Sequence, residues 1–147
     1  MRRLCLIIFL TALLFSSCQN RNNAKKELLV YPLENHVEFV KNLSDKILRA
    51  QRDGGYYKLS ETEASLKMVT GLNETLQKSS YAKIKNIFGN YKGLELHSIE
   101  EIKKTQAYKI YRFKGDFELG SEVEIRSVLD SEGKLAGFFI IPWKDKL

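Results

Sequence analysis

Hydrophobic and polar residues alternate most regularly near the C-terminus, between residues 121 and 130. Val123, Ile125 and Leu129 lie on one side of an extended chain, and Glu124 lies on the other side with its charged neighbours. Such an alternation is typical of a strand with one face on the core and one face in solvent. The pattern therefore predicts a strand in which Glu124 is exposed.

A second strand is expected after a turn at residues 130–134. Residues 135–141 are almost all apolar, and Pro142 ends the run because proline has no amide hydrogen to donate. A strand without polar alternation is usually covered on both faces. We therefore predict a hairpin whose second strand is central in its sheet, with Phe139 buried.

Upstream of this hairpin, apolar residues recur at helical spacing. Asn35 and Glu38 predict the capped start of a first helix, which residues 53–55 end with two glycines. Ser60 and Glu63 form the same pair again and predict a second, shorter helix. The core-facing stripe of the first helix consists of Val37, Val40, Leu43, Ile47 and Leu48.

A third helix is predicted between residues 72 and 88, where apolar residues recur at multiples of four. Gly89 ends it, and a break near Ser79 and Ser80 is an alternative because both are poor helix formers. The apolar stripe consists of Leu72, Leu76, Ile84 and Phe88.

Beyond Gly89 the hydrophobic period changes to two. One strand begins at Leu94 and needs a bulge if Ile102 is also to face the core. The next strand carries Tyr111, Phe113 and Phe117 on one face. Together these elements predict an α+β domain, with three N-terminal helices packed on a curved four-stranded antiparallel meander.

The N-terminus reads as a secretory signal. Two arginines precede an apolar run at residues 4–15, which is shorter than the roughly 20 residues of a membrane-spanning helix. An uncleaved anchor is the alternative. The following Ser16-Ser17-Cys18 resembles the bacterial lipobox, with Phe15 where leucine is usual. This resemblance implies a signal peptide at residues 1–17 and lipidation of Cys18.

Residues 18–33 are predicted to form a flexible tether, and residues 34–147 a single domain. Cys18 is the single cysteine expected after processing, because Cys5 leaves with the leader. Gln19 resembles the residue that follows the cysteine in lipoproteins sent to the outer membrane. We therefore expect a membrane-anchored, extracytoplasmic protein at the periplasmic face of that membrane.

The formal net charge of +6 overstates the charge of the domain. From Glu34 onward the chain has 19 basic and 17 acidic residues, a balance of +2. This mixed surface lacks the basic stripe of a nucleic-acid-binding protein. The basic residues of the tether either attract anionic lipid head groups or belong to a merely soluble linker.

The segment EIRSVLDSEGKLAGFF at residues 124–139, with Phe88-Gly89 before the first strand and Pro142 after the last, resembles a small bacterial domain of unknown function. That domain occurs in front of α/β-hydrolases or alone on secreted and lipidated proteins. Its fold is similar to the cystatin-like cone of the nuclear transport factor 2-like superfamily. The resemblance covers residues 35–143 and implies a cone, but it carries no catalytic residues over.

No sequence motif defines an enzyme, and we expect neither a cofactor nor a metal. His36 fits a solvated or capping residue in the first turn of a helix, and His97 is expected to face away from the core. Four acidic residues fit a solvent face better than a calcium site, which needs oxygens converging from one loop. They are Asp116, Glu118, Glu122 and Glu124.

Two functions fit the sequence. The first is a non-enzymatic binding or accessory domain on an envelope lipoprotein. It predicts an exposed aromatic patch drawn from Tyr56, Tyr57, Tyr91 and Tyr108. The second is a small-molecule-binding or isomerase-like cone with an apolar pocket of at least about 300 Å³. The predicted pocket lining consists of Tyr111, Phe113, Ile125, Phe139 and Trp143.

The expected partners follow from these two functions. A lipid anchor brings the domain to a membrane, and the binding site itself would take an unidentified protein or a small apolar ligand. A second copy of the chain, forming a homodimer, is a further candidate. Nucleic acid is not expected, because the domain is close to neutral.

Overall fold

The computed structural model describes residues 33–103, 107–120 and 122–145, all within a unit that spans Tyr31–Leu147. The predicted leader, Cys18 and most of the predicted tether lie outside the described residues. Three helices precede four strands. They are α1 (Leu33–Arg52), α2 (Leu66–Gly71), α3 (Glu74–Phe88), β1 (Tyr91–Lys103), β2 (Ala107–Phe117), β3 (Val123–Leu129) and β4 (Leu135–Pro142).

The four strands form one antiparallel sheet in the order β1-β2-β3-β4. This confirms an α+β domain in which helices are followed by a four-stranded antiparallel meander. The order also puts β4 at an edge of the sheet, so the prediction that the last strand is central is wrong. An apolar run does not show that both neighbours of a strand are strands. The prediction that Phe139 is buried is also wrong: its side chain is 51% exposed, because it lies on the face of this edge strand that points away from the helices.

The hydrophobic core lies between the helices and one face of the sheet, which we call the helix face. Phe113 pairs with both Leu96 and Ile125, so these side chains share that face. The hydroxyl groups of Ser44 in α1 and Ser127 in β3 are 2.7 Å apart, which ties α1 to the same face. The predicted stripe of α1 is confirmed, because Val40, Leu43, Ile47 and Leu48 are all buried and Val37 packs against them while partly exposed. The predicted cap at Asn35 is wrong, because α1 already begins at Leu33.

The first strand pair contains two register shifts, between Tyr91 and Gly93 and between Leu96 and Ser98. The second shift leaves His97 as the extra residue of a bulge, and it allows Ile99 to return to the face of Leu96. Ile102 pairs with Tyr108 and lies on the opposite face, so the bulge does not bring it to the core.

The Ser60–Glu63 capping pair is present, but it does not open a helix. The Ser60 amide and hydroxyl both donate to the Glu63 carboxylate, at 3.0 and 2.8 Å. The chain nevertheless forms a turn there, and Ala64 makes an isolated parallel bridge with Leu135 of β4. The second helix begins only at Leu66, after Ser65 as its N-cap.

The sheet face opposite the helices, which we call the outer face, contains a buried ion cluster. The Glu124 carboxylate is fully buried and accepts hydrogen bonds from Arg112 at 2.8 and 3.0 Å and from Arg126 at 2.7 Å. Arg112 also donates to the Lys144 carbonyl and lies 4.9 Å from the centroid of the Trp143 ring. Glu124 lies on the predicted face, but the prediction that it is exposed is wrong: its carboxylate is bound by two arginines, and the chain after β4 packs on Arg112.

Candidate functional site: a groove between α3 and β4

A groove of about 510 Å³ lies alongside β4 and is walled on its other side by α3. We call it the α3–β4 groove. Its lining residues are mostly apolar, and three of them are well exposed: Leu76 by 47%, Ile87 by 62% and Phe139 by 51%. The lining consists of Gln51, Leu72, Leu76, Gln77, Ser80, Lys83, Ile84, Ile87, Phe88, Phe138, Phe139, Ile140, Ile141 and Pro142.

The apolar stripe of α3 forms a wall of this groove instead of packing wholly in the core. The helix is continuous from Glu74 to Phe88, so the alternative of a break near its middle is excluded. Its buried residues are Gln77, Tyr81 and Phe88. Because Gln77 and Tyr81 turn to the core, Leu76 and Ile87 are left pointing outward.

Gln77 fixes this orientation through four hydrogen bonds. Its Nε2 donates to the carbonyls of Tyr57 at 2.8 Å and Leu72 at 2.7 Å. Its Oε1 accepts from the Tyr57 amide at 3.0 Å and from Gln51 Nε2 at 3.3 Å. All the hydrogen-bonding atoms of this side chain are therefore used inside the protein.

Gln51, another lining residue of the groove, contains an unsatisfied acceptor. Because its Nε2 faces the acceptor atom of Gln77, its Oε1 must point elsewhere. That oxygen is buried and has no hydrogen-bond partner among the described residues. A buried acceptor without a partner is costly to the fold, and because this oxygen is buried it is not exposed to an occupant of the groove.

The edge of β4 that faces away from β3 has unpaired backbone groups. The Trp143 amide donates to the Glu122 carbonyl at 3.0 Å, so these two opposite residues form a hydrogen-bonded pair. In an antiparallel ladder every second pair of opposite residues is hydrogen-bonded, and the pattern can be counted back along β4 from Trp143. Phe139 and Ile141 therefore bond to β3, whereas Phe138 and Ile140 direct their N–H and C=O groups away from it. No backbone bond within the described chain uses these outward groups.

Lys83 is the single ionisable side chain among the described lining residues of the groove. It makes no ion pair within the part of the chain that the structure describes. The groove can therefore bind an apolar body, pair with an extended backbone and attract a negative charge.

The predicted pocket residues lie in three different places. Tyr111, Phe113 and Ile125 are completely buried in the core on the helix face. The Tyr111 hydroxyl has no hydrogen-bond partner among the described residues, and burial raises its pKa, with Glu101 adding to the shift. Phe139 lines the groove, and Trp143 lies on the outer face beside Arg112. The structure thus brings Phe113 and Ile125 together and separates them from Trp143.

The two histidines and the predicted aromatic patch also have definite positions. His97 is exposed and packs edge-on against Trp143, with ring centroids 4.6 Å apart. His36 lines a more polar cleft of about 550 Å³, where burial, together with Lys109, lowers its pKa. Tyr91 is buried and donates to Asp45 at 2.8 Å, so it cannot belong to a surface patch.

Sequence reasoning missed Gln51 and Gln77, the two polar residues that shape the groove. One signal was present in the sequence: Gln77 directly follows Leu76 and therefore lies next to the apolar stripe of the predicted helix, not on its opposite side. A second was Pro142, since proline in a sheet favours an edge strand. These signals indicate an edge but do not locate the groove.

Within the ranges 33–103, 107–120 and 122–145, no group of three His, Cys, Asp or Glu residues could hold a metal ion. Among the same residues, no helix is long and apolar enough to cross a membrane. No family model, curated protein or solved structure matches this chain. The resemblance to the nuclear transport factor 2-like superfamily therefore stays a prediction.

Proposed function

We propose that this domain is a non-enzymatic binding module that holds an apolar partner in the α3–β4 groove. The observation that carries the proposal is the combination of exposed apolar side chains with the outward backbone groups of Phe138 and Ile140 in one concave site. Apolar clefts with a few placed polar groups are the usual form of a ligand site. Exposed apolar residues collected in one groove need a partner to cover them.

The test is the binding of an apolar fluorescent reporter, N-phenyl-1-naphthylamine, to a fragment spanning Tyr31–Leu147, which includes all the described core residues. Ile87→Glu should weaken reporter binding at least about tenfold, because it places a charge in the apolar groove. Leu119→Glu is the matched control: Leu119 is 65% exposed, close to the 62% of Ile87, but it does not line the groove. Equal effects of the two substitutions, or no reporter binding, would reject the proposal.

We further propose that the module is displayed in the bacterial envelope by a lipid on Cys18. The support is in the sequence: a basic start, an apolar run and Ser16-Ser17-Cys18. In this proposal the anchor is in the outer membrane, and the domain reaches its partner on the periplasmic side. The groove itself lies within Tyr31–Leu147, separate in sequence from the anchor.

We also infer that the fold is a nuclear transport factor 2-like cone. Two features support this: the helices share one face of an antiparallel meander, and β1 contains two register shifts of the kind that bend a strand. An experimental structure with a flat sheet would contradict it.

A further inference from the structure

We propose that the occupant of the α3–β4 groove is an extended peptide segment of a partner protein, which pairs with the outer edge of β4 as a fifth strand. This inference rests on the proposed function, because it names the partner of the same site. It commits to a peptide because the groove offers backbone pairing as well as apolar contact.

The shape of the site follows the strand edge. Side chains from both faces of β4 line the groove, Phe138 and Ile140 on the helix face and Phe139 and Ile141 on the outer face. A cavity lined by both faces lies beside the strand and not above it. The outward N–H and C=O groups of Phe138 and Ile140 therefore face the space that a neighbouring strand would fill.

The protein already uses this edge for one backbone pairing. Ala64 forms a parallel bridge with Leu135, where the Leu135 amide donates to Glu63 at 2.9 Å and the Ser65 amide donates to Leu135 at 3.0 Å. The chain then turns into α2 at Leu66 and leaves the edge. A peptide beside residues 138–142 would continue the fifth-strand position that Ala64 begins.

The dimensions and the charge fit a short peptide. Residues 138–142 extend over about 13 Å at roughly 3.3 Å per residue, which is the length of about five extended residues. Alternate side chains of such a peptide would reach the apolar wall that Leu76 and Ile87 form on α3. Lys83 favours an acidic residue at one position of the peptide.

A purely apolar ligand explains less of the site. A hydrocarbon chain would cover Leu76 and Ile87, but it would leave the outward backbone groups of Phe138 and Ile140 without partners. Covering polar groups without pairing them is unfavourable. A peptide backbone supplies both donors and acceptors at the spacing of the strand.

The experiment selects seven-residue peptides from a displayed random library on the Tyr31–Leu147 fragment, with counter-selection on Ile87→Glu. Enriched peptides should alternate apolar and polar residues and should displace N-phenyl-1-naphthylamine. Each selected peptide is then made with N-methyl groups on alternate amides, in both registers. Affinity should fall at least about tenfold in one register, where the methyl groups replace the hydrogens facing β4, and should change little in the other.

Amide hydrogen exchange supplies a readout at the strand itself. Peptide binding should slow the exchange of Phe138 and Ile140, whose amides face outward, by at least about tenfold. Phe139 and Ile141, whose amides already bond to β3, should change much less and serve as internal controls.

Several results would overturn the inference while leaving the proposed function intact, as long as the reporter still binds. The first is that no peptide is enriched, and the second is that both N-methyl registers bind with equal affinity. The third is that lauric acid displaces the reporter but no peptide does. The fourth is that the fragment forms a dimer that Ile87→Glu disrupts. The last two results would assign the groove to a lipid-like ligand or to a second copy of the chain. If the reporter does not bind, the proposed function itself fails.

Discussion

At the scale of single residues, Glu124 has the largest electrostatic consequence, because its carboxylate is fully buried between two guanidinium groups. Burial would raise its pKa, but the hydrogen bonds from Arg112 and Arg126 outweigh that effect, and the pKa lies below its ordinary value. Glu100 lies 3.4 Å from Arg112 and balances the remaining positive charge. The four side chains are therefore neutral as a group.

We predict that Glu124→Ala lowers the free energy of unfolding by about 3–5 kcal/mol, because it leaves Arg112 buried without its main partner. Glu122→Ala is the control, since Glu122 is exposed and surface changes usually stay within about 0.5 kcal/mol. Denaturant unfolding of the Tyr31–Leu147 fragment measures both. A neutral Glu124→Ala would mean that the carboxylate is in solvent.

The same carboxylate predicts how stability depends on pH. Its pKa is lower in the folded protein than in the unfolded chain, so its contribution is present above the unfolded value of about 4.3 and is lost as the pH falls through the folded value. The free energy of unfolding should therefore fall as the pH drops below about 5. Glu124→Gln should make that fall shallower, whereas Glu122→Gln should not. Identical slopes would show that Glu124 does not titrate differently on folding.

At the scale of elements, α3 shows how a helix can carry its apolar stripe away from the core. Gln77 is fully buried and binds the Tyr57 backbone and Leu72, and this anchors the helix by a polar residue. A hydrophobic pattern cannot reveal such an orientation, because it treats glutamine as a residue for solvent.

We expect Gln77→Leu to lower the free energy of unfolding by about 3 kcal/mol, since the Tyr57 amide, two carbonyls and Gln51 lose their partner while the volume is roughly kept. Lys78→Ala is the neighbouring control, because its ion pair with Glu74 is exposed and contributes little. Thermal or denaturant unfolding distinguishes them. Similar losses for both would show that Gln77 does not anchor the helix.

The elements that the sequence predicted well are those in which local pattern and burial agree. The α1 stripe, the meander order and the hairpin turn belong to this group; in that turn, Asp130 accepts hydrogen bonds from the Glu132 and Lys134 amides at 2.9 and 3.0 Å. The second capping pair was misleading, because the same hydrogen bonds also stabilise a turn.

The candidate site was not predictable in the same way. Phe139 and Ile141 read as core residues, yet they lie on the outer face of an edge strand and line the groove. Glu124 reads as a surface residue, yet it is fully buried beside Arg112, which the chain after Pro142 contacts. Alternation determines the face of a strand, but the cover over that face comes from distant or C-terminal segments that the local pattern does not describe.

At the scale of the whole molecule, we propose that a lipid anchor at Cys18 displays the domain and its α3–β4 groove. We predict that Cys18→Ser abolishes metabolic labelling with palmitate and releases the protein from the membrane fraction. Cys5→Ser is the matched control, because Cys5 lies within the proposed leader and should leave labelling unchanged. Persistent labelling of Cys18→Ser would show that Cys18 is not the lipidated residue.

We conclude that the exposed apolar residues lining the α3–β4 groove serve binding and contribute little to the free energy of unfolding. The most direct measurement is Phe139→Ala in the Tyr31–Leu147 fragment, with the Kd for N-phenyl-1-naphthylamine and the free energy of unfolding determined on the same sample. Because Phe139 is 51% exposed and lines the groove, the Kd should rise at least about tenfold while the free energy of unfolding falls by only about 1 kcal/mol. An unchanged Kd together with a loss of about 3–5 kcal/mol, as for a fully buried ring, would contradict it.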